Sequence, residues 1–211
     1  MKRQAEMKST ARVPSIAGFT LLEVLVSMVV IALGLLGLAG LQIRLQQAEF
    51  ESYQRSQAVV LLYDMVERIR ANKSTASCFA ITTNTTAGTP YLGTGASAST
   101  GCAASTSAYN TMADAGLAEW DALLDGASEK SGTTSVGAMI GARGCVSYGG
   151  TSTEIVSGGV SVAGTGIYTV SVSWQGSGDS AVPSTNCAND LYGDETKRRT
   201  ISTTFRIATL N

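Results

Sequence analysis

The chain has 211 residues, 44% of them hydrophobic and 15% charged, with a formal net charge of −1 and no histidine. That length suits one domain of ordinary size with an appendage. Lack of histidine removes the commonest general base and the commonest zinc ligand, and the slight acidic excess argues against a nucleic-acid binder, whose affinity depends on neutralising phosphates.

Charge is uneven along the chain. Residues 1–18 carry Lys2, Arg3, Lys8 and Arg12 against Glu6, a net of +3, whereas the remainder holds eleven basic and fifteen acidic residues, a net of −4. A basic head before an apolar segment is an orientation signal that keeps the positive end in the cytoplasm. From Val24 to Ile43 there are 20 residues without a charge, about 30 Å as a helix and enough to cross a bilayer core. A secretory signal has a shorter apolar region of about 7–15 residues. "GLAG" at Gly37–Gly40 would offer such a signal a cleavage point after Ala39, but the run is too long. Glu23 stands at the mouth of this segment. A carboxylate there costs a few kcal/mol unless it has a partner, roughly 3 kcal/mol on insertion scales, so it marks a functional position.

No proline occurs between Phe19 and Asn72, and glycine appears only at 34, 37 and 40. One continuous helix is therefore predicted from Phe19 to about Asn72. Leu41, Leu45, Ala48, Ser52, Arg55, Val59, Leu62, Val66 and Ile69 recur at steps of four and three, a one-sided stripe meant for a globular partner. Arg68, Arg70 and Lys73 are read as a solvated helix end that complements the dipole.

Residues 74–111 are rich in Ser, Thr, Ala and Gly and read as a long loop. "NTMADAGLAEWDALLDG" is a short amphipathic helix, with Met112, Leu117, Trp120 and Leu124 on one side and Asn110 or Thr111 as its cap. Beyond Ser135 the pattern turns strand-like. "IYTVSVSW" places Tyr168, Val170, Val172 and Trp174 on one face, and "TISTTFRIATL" alternates through Ile201, Thr203, Phe205 and Ile207. "GARGCVSYGG" and "TEIVSGGVSVAG" supply two weaker strands. The expected fold class is α+β, a long N-terminal helix packed on a small antiparallel sheet. The expected divisions are a leader over 1–18, a membrane half of the helix over 19–43, an amphipathic half over 44–73 and a head over 74–211.

The cysteines are Cys78, Cys102, Cys145 and Cys187, all after the apolar segment and none in a CxxC pair. An even count outside the cytoplasm reads as two disulfides. Three connectivities satisfy four cysteines; sequence order alone favours Cys78–Cys102 and Cys145–Cys187. No metal site, cofactor or catalytic residue is expected, and "GTGASASTG" lacks the lysine and the strand–helix context of a phosphate loop.

The basic leader, Gly18, Phe19 and "TLLEV", with Glu23 fifth after the glycine, resemble the class III signal of type IV prepilins and type II secretion pseudopilins. "GLLGLAGLQ" followed by "SYQRSQAVVLLYDMVERIRAN" resembles the minor-pilin family called type IV pilus modification protein PilV, closely over residues 18–73 and loosely afterwards. The resemblance implies cleavage between Gly18 and Phe19 by a prepilin peptidase, N-methylation of Phe19, and pairing of Glu23 with the new amine on its own or an adjoining subunit. The full sequence is then a precursor that still carries its leader. The resemblance implies the pilin fold and a structural subunit, not an enzyme, anchored once in the inner membrane before assembly into an extracellular pilus. Its implied partners are other minor pilins, the major pilin and a pilus-tip adhesin. Lack of a helix proline departs from many major pilins, so flexibility would come from the three glycines. Two alternatives stay open. A type II secretion minor pseudopilin shares the leader and helix. A DNA-binding pilin for natural transformation would touch phosphates through Lys197, Arg198 and Arg199, a cluster otherwise read as charge protecting an exposed edge strand.

Overall fold

A computed structural model describes residues 18–96, 101–128, 130–132, 134–135, 139–151, 155–156, 160–161 and 166–207. Residues 1–17 of the leader, residues 97–100 within the Ser/Thr-rich loop and much of "TEIVSGGVSVAG" lie outside them. Two compact units result, 1–46 and 47–211.

Helix α1, Leu21–Ala71, runs through both units without interruption at Gly34, Gly37 or Gly40. Within 1–46 its apolar side chains are exposed all round, and an 18-residue window reaches a mean hydropathy of 2.6 with none of it buried. Such a surface needs lipid or other apolar helices around it. In the unit 47–211 the helix is one-sided. Gln54, Ala58, Leu61, Leu62, Met65, Val66 and Ile69 are buried. This corrects the first part of the predicted stripe: Leu62, Val66 and Ile69 are buried as predicted, whereas Ala48, Ser52, Arg55 and Val59 face solvent and Gln54, Ala58, Leu61 and Met65 join the buried face. The difference lies at its start, because the first buried position is Gln54, a polar residue that period-counting of apolar residues skips.

A 3-10 helix, Lys73–Phe79, follows, and the Ser/Thr-rich segment then contributes the two-residue strand β1, Leu92–Gly93. Helix α2 spans Ser107–Leu124. It starts earlier than predicted, with Thr106 as its N-cap residue. Asn110 is not the cap; its side chain instead ties down the residue before the cap, its Oδ1 accepting from Ser105 N at 2.9 Å and its Nδ2 donating to Ser105 O at 2.9 Å. Leu117, Trp120 and Leu124 are buried as predicted, but Met112 is 57% exposed and Ala113 takes the core position. A core this close to the helix admits a methyl group, not a thioether chain.

The main sheet is antiparallel in the order β1–β4–β7–β8, with β4 at Arg143–Thr151, β7 at Gly166–Gln175 and β8 at Arg198–Ile207. Val146 faces Val170, and Tyr168 faces Phe205, in the register. Two short ribbons complete the described strands: β2 (Lys130–Ser131) with β3 (Thr134–Ser135), and β5 (Ile155–Val156) with β6 (Val160–Ser161). One sheet face, Val146, Tyr168, Val170, Val172, Trp174, Phe205 and Ile207, joins α1 and α2 in a single core. Trp120 packs against β4 at Gly144, where an added Cβ would collide with the indole. The opposite face holds a smaller cluster, Cys145, Cys187, Ala188 and Tyr192. There Ser173 Oγ donates to Cys187 O at 3.0 Å, so the serines of "VSVSW" are covered rather than solvated.

Candidate processing and assembly site

Gly18, Phe19 and Thr20 precede α1 without helical structure. Among the described residues nothing lies within 4 Å of where a Gly18 Cβ would sit, and Phe19 is 83% exposed. Thr20 caps the helix: Glu23 N donates to Thr20 Oγ1 at 3.3 Å and to Thr20 O at 3.1 Å. "TLLE" is the T-x-x-E spacing of a capping box. Glu23 lies in the first turn, where a carboxylate is favoured by the partial positive charge of the helix start. Ser27 Oγ closes the next turn by donating to Glu23 O at 2.6 Å.

The head carries its own ionic framework. Glu51 accepts from Ser177 Oγ at 2.8 Å and Ser177 N at 3.2 Å, and pairs with Arg199 at 3.4 Å. The Ser177 hydroxyl and amide, with the Arg199 charge behind them, hold the Glu51 carboxyl below its usual range against a smaller opposing effect of burial. Arg68 is not a free, solvated helix-end cation: it bridges Asp64 on its own helix and Glu119 on α2, at 2.7 Å each. Arg70 pairs with Glu67 at 2.9 Å and lies 5.4 Å over the Phe205 ring.

The basic cluster separates into different roles. Arg198 is 1% exposed, paired with Glu195 and donating to the carbonyls of Thr185 and Cys187. Arg199 donates to Gly178 O at 2.7 Å, Ser180 Oγ at 2.6 Å and Thr196 O at 2.9 Å. Neither matches the predicted solvated edge-strand charge, and neither guanidinium is presented as a free phosphate ligand.

Cys78 is joined to Cys102 and Cys145 to Cys187. The first ties the 3-10 helix to the segment before α2, and the second ties β4 to the 182–192 segment on the outer sheet face. Among the described residues no group of His, Cys, Asp and Glu is arranged to hold a metal ion.

Two family models match the chain. The prokaryotic N-terminal methylation motif covers residues 14–39, which include Gly18, Phe19 and Glu23. A type IV pilin family, Type IV pilin Tt1218, covers residues 40–123, from the end of the apolar segment through α2 up to Leu123. No curated protein and no solved structure matches the chain.

Proposed function

From the prepilin methylation motif, the type IV pilin match and the α+β pilin fold, we propose that this chain is a minor pilin that helps initiate type IV pilus assembly and sits near the fibre tip. One observation carries the pilin reading. A Gly18–Phe19 junction opens directly onto a capped helix whose first half, Glu23 apart, is uncharged and exposes its apolar side chains, while its second half is built into a disulfide-bonded head. That division suits a subunit that waits in a membrane and then exchanges lipid for neighbouring helices. The minor-pilin assignment rests on the likeness of residues 18–73 to the PilV family.

In this reading a prepilin peptidase cuts after Gly18 and methylates the Phe19 amine. The leader is cytoplasmic and the head periplasmic until the subunit enters an extracellular pilus. Glu23 meets a Phe19 ammonium in the helix bundle, its own or a neighbour's. An unpaired buried charge typically costs about 3–5 kcal/mol, so the pair selects correct register. The subunit acts by packing, with other minor pilins, the major pilin and a tip adhesin as its partners. Burial of Arg198 and engagement of Arg199 favour this reading over DNA capture. Crosslinked co-purification from membranes, followed by mass spectrometry, tests it: minor pilins should be recovered with the chain, whereas recovery with secretion-system components would indicate a pseudopilin.

A further inference from the structure

The head holds an open cavity of about 520 Å³ that the assembly role does not use. Its walls include Lys73, Ser74 and Ser77 of the 3-10 helix, Tyr148 of β4, Tyr168 of β7 and Ile207 at the end of β8. This volume falls in the range of small-molecule sites, which are mostly apolar with a few convergent polar groups. The aromatic wall is a corner. The Tyr148 and Tyr168 rings lie 5.2 Å apart at 57° to each other, and Tyr148 remains 44% exposed. Gly166 makes the corner possible: a Cβ there would sit 2.7 Å from the Tyr168 ring and 3.0 Å from the Tyr148 ring. Among the described residues Lys73 forms no ion pair and no carboxylate lines the cavity. The site is therefore an aromatic corner with two serine hydroxyls and one uncompensated cation.

We propose that this cavity binds an acidic saccharide, one uronic-acid unit of a glycan, with its C–H face on Tyr148, its carboxylate at Lys73 and its hydroxyls at Ser74 and Ser77. Each part of the wall matches one part of such a ligand. A sugar ring has an apolar face that stacks on tyrosine, an equatorial rim of hydroxyls, and in a uronic acid one carboxylate. Burial raises the pKa of the Tyr168 phenol, which stays a neutral donor. A peptide strand fits less well, because the strand residues at the wall are already paired in the ladder, Tyr148 with Tyr168 and Gly166 with Ile207. The inference stands on the head alone and does not require the pilin reading.

Saturation-transfer NMR and calorimetry on the full chain, in a detergent without a sugar headgroup, test it. The probes are a glucuronate-containing disaccharide, the same disaccharide as its neutral methyl ester, and a tetrapeptide of matched charge. The acidic disaccharide should bind more tightly than its ester by about tenfold, the worth of one charge-assisted hydrogen bond. Lys73→Gln, an exposed change, should erase that preference while leaving ester binding within about twofold; Tyr148→Ala should weaken both sugars by about tenfold. Equal binding of acid and ester to the unaltered chain, or tighter binding of the peptide, would overturn the proposal. So would binding that appears only when the chain is ended at Ile207, because the cavity would then be a seat for residues 208–211. Failure of any arm leaves the pilus assignment untouched, since no fibre is involved.

Discussion

The indole nitrogen of Trp120 donates a 2.9 Å hydrogen bond to the carbonyl of Leu61. This one contact links α2 to α1 across 59 residues of sequence, and the same ring lies on Gly144 of β4. Trp120 is fully buried, so three elements meet on a single side chain.

Trp120→Ala should accordingly destabilise the head by about 3–5 kcal/mol, as large core deletions do. Gly144→Ala should cost about 1–3 kcal/mol by overpacking the ring. The two sites touch, so they should couple: Gly144→Ala should cost much less in a Trp120→Leu background. Chemical denaturation of the full chain in detergent, followed as a double-mutant cycle, measures this. Additive costs would mean that the ring and the glycine are not in contact.

Removal of the two disulfides should have unequal effects. Cys145 and Cys187 are 42 residues apart and Cys78 and Cys102 are 24 apart. The chain-entropy relation gives about 4 and about 3.5 kcal/mol respectively. Cys145→Ser with Cys187→Ser should also free the segment that covers the outer sheet face, so protease should cut first near residues 182–192. Cys78→Ser with Cys102→Ser should instead expose the region before α2. Thiol titration of the unaltered, folded chain should find no free thiol; four reactive thiols in a stable chain would contradict the pairing.

Alkaline stability should depend on Tyr192. Burial pushes its phenol up to about 12, partly offset by Arg143, whose guanidinium lies 4.9 Å over the ring. The folded value is raised above the unfolded one. The associated stability is therefore complete below about pH 10 and is lost as pH rises toward about 12. Two units correspond to about 2–3 kcal/mol. Tyr192→Phe should lower stability at pH 8 by the loss of its hydrogen bond to Gly141 O, and should flatten the decline above pH 10. Tyr168 shifts in the same direction by burial, so a smaller decline should persist. Melting temperatures from pH 8 to pH 12 give the comparison.

Glu51 gives the acid counterpart. Its folded pKa is depressed by Ser177 and Arg199, so its contribution is present above the ordinary value of 4.5 and fades as pH falls through the lower folded value. Hydrogen exchange at Ser177 and Ser180 should quicken below that point before the main sheet opens, and Glu51→Gln should show the quickened exchange already at neutral pH.

The fold was legible because its signals are periodic. A proline-free stretch of fifty residues, the alternation of "IYTVSVSW" and that of "TISTTFRI" identify α1, β7 and β8 directly. Strand β1 was hidden for a physical reason: two residues between glycine turns hold their place by pairing with Arg143 and Gly144, and nothing local requires them to be extended. On α1 the buried positions Leu62, Val66 and Ile69 are legible in the period, whereas the start of the buried face is not, because its first member is Gln54, which apolar counting cannot see. The charge cluster at Lys197–Arg199 misled because sequence gives charge without depth: Arg198 faces inward to Glu195. The capping role of Thr20 is legible in the T-x-x-E spacing of "TLLE".

Glu23 should matter for entry into fibres rather than for insertion or cleavage, since the uncharged run from Val24 to Ile43 suffices for the membrane. Glu23→Gln keeps the size and polarity of the side chain and removes its charge. It should give a processed, membrane-resident chain that is depleted from sheared pili, and a tip initiator so altered should also lower the number of pili per cell. Normal recovery of Glu23→Gln in pili would show that the charge is not what assembly requires.

The most direct measurement is the intact mass of the chain recovered from sheared surface fibres. It should correspond to a polypeptide that begins at N-methylated Phe19, carries two disulfides and lacks residues 1–18, and replacing Gly18 by a bulky residue should leave the uncut form in the membrane. A mature chain that begins after Ala39, or fibres from which the chain is absent while it accumulates unprocessed, would contradict the assignment.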